Sequence, residues 1–159
     1  MPLRDRIHLS VKHIRQDKKM SCWYACAQMV LAYRDPILMV VNTSSNISAL
    51  DRYLRNGGLM PHHVEMFARE VGLSWRSPGD LLKTRGTDAW TKSLRLYGPL
   101  WVPISKTSGR STYGHIVVVS GVRADDCLWV NDPEKIAAVT VPAAQLESAM
   151  HWKLPLLFN

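Results

Sequence analysis

A chain of 159 residues, 47% hydrophobic and 21% charged, has the length and composition of a single globular domain. Folding at this size buries about two thirds of the extended surface, so disorder, collagen and coiled coil are excluded as its main character. The charge of +7 comes from 20 Lys and Arg against 13 Asp and Glu. The basic residues are scattered, and Lys18-Lys19 is the longest basic run in the chain. This argues against nucleic-acid binding and for a soluble basic domain or acidic partners. The apolar stretches Ile37 to Val41 and Ile116 to Val119 fall far short of the ~20 residues of a membrane span, so no membrane association is expected. Arg4, Asp5 and Arg6 have no apolar run behind them, so no signal peptide is expected. Three cysteines cannot all pair, which fits a reducing environment.

In chain order, Ile7, Leu9 and Val11 alternate as a short strand or extended arm. Residues 15–21 read as a polar loop. Cys22 to Tyr33 lacks Gly and Pro and is apolar nearly all round, which predicts a helix buried at the centre of the domain. Ser21 is its candidate N-cap and Asp35-Pro36 its stop. Further helices are predicted over Ile47 to Arg55, Pro61 to Val71 with Gly72 as C-cap, and Asp88 to Tyr97 behind Thr87. Leu73 to Arg76 is a short extended piece. Beyond Gly98-Pro99 the chain turns to strands: Leu100 to Ser105, His115 to Val122, Cys127 to Val130, Ala137 to Val141 and Leu154 to Phe158. Residues 106–114 read as a loop, and Ala143 to Met150 as a short helix. Helices first and strands later predict an α+β domain, with a helical lobe built on a central helix and an antiparallel sheet lobe.

Cys22 opens the buried helix, and a helix N-terminus favours the thiolate, the reactive form of cysteine. Cys26 and Cys127 sit in apolar contexts and read as small core residues. A nucleophilic thiol needs a base, and the base needs an orienting group. Of the six histidines, His115 stands out, since it opens the most apolar strand of the chain. A hairpin turning near residue 125 returns Asn131-Asp132 to the same end of the sheet. Asp132 is the chosen partner of the imidazole, and Asn131 is the alternative if the register differs. Gln16 lies six residues before Cys22 in the same loop, where its amide and the Cys22 N–H can converge on a developing oxyanion.

Gln16-x5-Cys22-Trp23 ahead of a central helix, Gly114-His115 on an apolar strand and Asn131-Asp132-Pro133 together resemble the papain-like cysteine peptidases. Met20-Ser21-Cys22-Trp23-Tyr24-Ala25 and Tyr97-Gly98-Pro99-Leu100-Trp101-Val102 are similar to their compact bacterial members. These are the plant-pathogen type III effector proteases and the peptidase domains of bacteriocin exporters. The resemblance spans about residues 15 to 135. It implies a two-lobed papain-like fold and hydrolysis of protein or peptide substrates through a Cys22–His115–Asp132 triad and an acyl-enzyme, without cofactor. It also implies a cleft near Trp23, Trp101, Tyr113 and Gly114, narrow enough to select glycine. The alternatives on this fold are a cell-wall amidase, a deamidase, a transglutaminase or a non-catalytic peptide-binding domain. No metal site is expected, since CxxC and HxxxH spacings are missing. Residues 1–159 are read as one domain, either an intracellular processing protease in the cytoplasm or the terminal toxin domain of a larger protein. The second role implies a specialised secretion system, action in a recipient cytoplasm and an acidic immunity or inhibitor protein.

Overall fold

The computed structural model describes residues 4–35 and 58–159. The helix expected over Ile47 to Arg55 lies outside the described residues. Helix α1 (Cys22–Arg34) is followed by a 3-10 turn (Pro61–His63), α2 (Val64–Val71), α3 (Pro78–Leu81) and α4 (Gly86–Tyr97), with α5 (Ala143–Ala149) near the C-terminus. The strands are β1 (Asp5–His8), β2 (Ser74–Arg76), β3 (Leu100–Ser108), β4 (Ser111–Arg123), β5 (Cys127–Asn131), β6 (Val139–Pro142) and β7 (Leu156–Phe158). They form one antiparallel sheet in the order β2-β7-β3-β4-β5-β6, and β1 joins the end of β4. This is the expected α+β fold.

Helices cover both faces of the sheet. Trp101, Val118 and Leu157 pack with Trp23, Met29, Val30 and Phe67 of α1 and α2. Their sequence neighbours Leu100, Val102, Val117, Val119 and Leu156 face the other way, onto Trp90 and Leu94 of α4 and Leu146 of α5. Side chains alternate across a strand, so a strand buried on both faces is continuously apolar. That is why Ile116 to Val119 reads as an unbroken run. Helix α1 is apolar on all sides for a related reason, being enclosed by β3, β4 and α2.

Local chemistry sets several boundaries. Gly72 ends α2 in the left-handed conformation at φ 81°. Ser77 caps α3, accepting from the Asp80 N–H at 3.2 Å. Helix α4 begins at Gly86, whose N–H is met by the Glu147 carboxylate of α5 at 2.8 Å. Thr87, the expected cap, instead donates to Asp126. The expected loop at 106–114 is largely strand: Thr107 pairs with Thr112 and Ser108 with Ser111, closed by a turn through Gly109 at φ 61°. Thr supports extended structure as well as loops, and here the β3–β4 ladder decides. Strand β1 lies at Asp5–His8, earlier than the alternation predicts, because it pairs with the far end of β4.

Candidate active site

The first turn of α1 presents Cys22. Ser21 occupies the N-cap position, but its hydroxyl does not cap the helix. It accepts from the Lys18 N–H at 3.1 Å and bonds within the Asp17–Lys18 turn. The Cys22 N–H is therefore one of the N–H groups that a helix start leaves without an intrahelical partner. Two bonds strap the preceding loop to the segment after β5. The Gln16 N–H donates to the Pro133 carbonyl at 3.0 Å, and the His13 Nε2–H to the Lys135 carbonyl at 2.8 Å.

His115 enters on β4, opposite Ile104 of β3. It is 3% exposed and lies within hydrogen-bonding reach of Cys22. Its Nε2 meets Asp132 Oδ1 at 2.7 Å. An ionised carboxylate only accepts, so Nε2 carries the proton and Nδ1 is left to the thiol side. Asp132 is drawn into further bonds by the Lys106 ammonium at 2.8 Å and the Glu134 N–H at 3.0 Å. A bulge at Ser120 in the β4–β5 ladder puts Val118 opposite Asn131. Asn131 consequently turns away from His115, accepting from the Ser120 hydroxyl at 2.7 Å and meeting His13 Nδ1 at 3.2 Å.

Electrostatics follow this geometry. Burial opposes the charge on His115, but the hydrogen bonds to Asp132 and Cys22 and their charges outweigh it, raising its pKa from 6.5 to about 9. Burial likewise works against the Asp132 carboxylate, yet bonds from His115, Lys106 and the Glu134 N–H carry its pKa well below the usual carboxylate range. Cys26, fully buried one turn along α1, has its thiol pushed well up by desolvation, then by Cys22 and Asp132. It donates to the Ile116 carbonyl at 3.3 Å. Cys127 is only partly buried, at the start of β5.

A cavity of about 730 Å³ opens beside Cys22 and His115. Met20, Leu59, Met60, Ile104, Met150 and Trp152 make its wall largely apolar; His151 and Lys153 also line it, and no acidic residue does among the described residues. Gly114 lines it, and the Cβ of any larger residue there would meet no described residue within 4 Å. Trp23 and Trp101 also border it, but both are at most 2% exposed. Their indoles donate inward, Trp23 to the Met20 carbonyl and Trp101 to the Trp23 carbonyl. They form the floor of the cavity as core residues. Tyr113 points elsewhere, its hydroxyl donating to Glu134. Gln16 Nε2 donates to the Lys18 and Lys19 carbonyls at 2.8 and 2.9 Å, and its Oε1 is buried without a partner among the described residues. Lys106 and Glu134, both part of the cluster around Asp132, are absent from the reading of the sequence.

The profile of the family described as papain-like cysteine protease AvrRpt2 matches residues 5–147. Among solved structures, the chain is similar to a double glycine motif protease from an AMS/PCAT transporter, crystallised in complex with the leader peptide. The TM-score is 0.57 at 22% identity, over 96% of this chain and 93% of that one, a likeness of fold. No curated protein sequence matches the chain.

Proposed function

The chain belongs to the papain-like cysteine protease family of AvrRpt2, and from that premise we propose that Cys22, His115 and Asp132 are its catalytic triad. The observation that carries the reading is the buried His115–Asp132 bond of 2.7 Å at the start of the Cys22 helix. Cys22 attacks the scissile carbonyl as thiolate. His115, protonated at neutral pH, gives its proton to the leaving amine and then activates water to release the acyl group. Asp132 holds the ring and its tautomer. The Cys22 N–H, with Gln16, faces the developing oxyanion. Gln16 does this once substrate displaces its Nε2 from the Lys18–Lys19 turn.

The substrate is a peptide segment seated in the apolar cavity beside Cys22 and past Gly114. The structural neighbour's leader peptide and its double glycine motif support a peptide substrate and a small residue at the cut. Residues 1–159 act as one catalytic unit, delivered as an effector or toxin into a recipient cytoplasm. The resemblance to effector proteases supports that role. The +7 charge suits an acidic immunity or inhibitor protein. Among the described residues no helix is long and apolar enough to cross a membrane.

The test is new N-termini in a protein extract treated with wild type, Cys22→Ala or His115→Ala. Discrete cuts made only by wild type are expected. Cuts that persist in Cys22→Ala, or ammonia release without cuts, would overturn the triad as a peptidase.

A further inference from the structure

Two charged residues beside the triad have no part in the chemistry above. Lys106, on β3, donates to Asp132 Oδ2 at 2.8 Å and to Glu134 Oε2 at 2.7 Å. Glu134, just after β5, places Oε1 3.5 Å from His115 Nδ1 and accepts from the Tyr113 hydroxyl. The ligand atoms of His115, Asp132 and Glu134 lie within 4.8 Å of one another, a spacing fit for a divalent cation. The cation bonded to both carboxylates is the Lys106 ammonium. A lone Asp132 would orient the ring, whereas two uncompensated carboxylates would raise the proton affinity of every group around them.

We propose that Lys106 and Glu134 are positioning residues, an ammonium–carboxylate clamp that aims Asp132 at His115 and sets the local potential in which the Cys22–His115 pair forms. The proposal rests on the triad reading above. The groups facing His115 are Cys22, Asp132 and Glu134, with Tyr113 at 6.1 Å between ring centroids and Cys26 behind Cys22. Apart from His115 itself, Lys106 is the cation bonded to the two carboxylates among the described residues. Lys106 itself is held charged: burial works against it, and the bonds to Asp132 and Glu134 more than restore it.

The clamp makes a signed prediction that a merely structural pair would not. Removing a positive charge moves nearby titrations up, and removing a negative one moves them down. The readout is the low-pH limb of Cys22 alkylation by iodoacetamide, mapped by peptide mass. The limb should rise by roughly half to one pH unit in Lys106→Met and fall by a similar amount in Glu134→Gln. It should return close to wild type in the double variant, where the two losses cancel. Lys106→Arg, which keeps the charge and two donors, should leave it in place. Circular dichroism checks each fold. Should Lys106→Met not fold, Glu134→Gln, which keeps the shape and one acceptor oxygen while removing the charge, carries the test with Lys106→Arg. Limbs that stay put in the folded variants, or move in the same direction, overturn the clamp while leaving the triad standing. Alkylation of Cys22 that is unchanged in His115→Ala overturns the triad, and the clamp with it.

Discussion

His115 releases its proton only near pH 9, since burial is outweighed by its bonds to Asp132 and Cys22. Loss of that proton would remove the proposed general acid, so kcat/KM on any cleaved peptide should fall as pH rises through about 9. Stability follows the same proton. A pKa raised on folding makes protonation favour the folded state, fully below 6.5 and no longer once pH has passed about 9. Urea midpoints should accordingly drop between about pH 6.5 and pH 9 in wild type, and much less over that range in His115→Ala. Asp132 has the opposite sign. Its pKa is lowered from 3.8, so its contribution is full above that value and lost as pH falls toward its depressed value. In Asp132→Asn the carboxamide cannot balance the imidazolium, and turnover should fall roughly 10²–10⁴-fold with the fold retained. Circular dichroism beside steady-state rates checks this.

At the scale of elements, β4 is the organiser. It pairs with β3, β5 and β1, and His115 lies at one end of its apolar stretch. Gly121 lies where β1 passes closest: a Cβ there would meet the Ile7 carbonyl oxygen at 2.6 Å and Trp129 Cδ1 at 2.9 Å. Backbone has to move to admit it. Gly121→Ala should cost about 1–3 kcal/mol in urea unfolding and detach β1, seen as faster amide exchange at Ile7 and Leu9. The β4 core run and the α1 span were legible in the residues, because burial on all sides leaves an unbroken apolar run. The β3–β4 hairpin tip was not, since Ser, Thr and Gly serve loops and strands equally. The same holds for α3, whose four residues carry no period.

The whole molecule divides its labour across the sheet. One face, with α1 and α2, sets Cys22 in position. The other, with α4 and α5, is tied by buried Glu147, which accepts from the Gly86 N–H at 2.8 Å and the Trp90 indole at 3.0 Å. Glu147→Ala leaves both donors without their acceptor and should lower stability by about 2–4 kcal/mol. Cys22 alkylation below the melting temperature should be unchanged, because the bonds lost with the carboxylate run to α4, while the Glu147 carbonyl that holds the Trp152 indole of the cavity wall at 3.0 Å is kept in the variant. Loss of Cys22 reactivity in the folded variant would show that the two faces are coupled.

From the sequence alone came the central helix that begins at Cys22, the strand that carries His115, the α+β class and the family resemblance. Each of these is local, written in the period, caps and residue types of a single segment. Which of Asn131 and Asp132 meets His115 depended on one bulge at Ser120, a shift of register that no segment carries by itself. The orientation of Gln16 and the joining of Lys106 to Asp132 and Glu134 were likewise decided only by the tertiary structure. Lys106 reaches partners 26 and 28 residues away across the sheet. A bond of that kind exists only once packing has brought β3 and the end of β5 within the reach of one ammonium group.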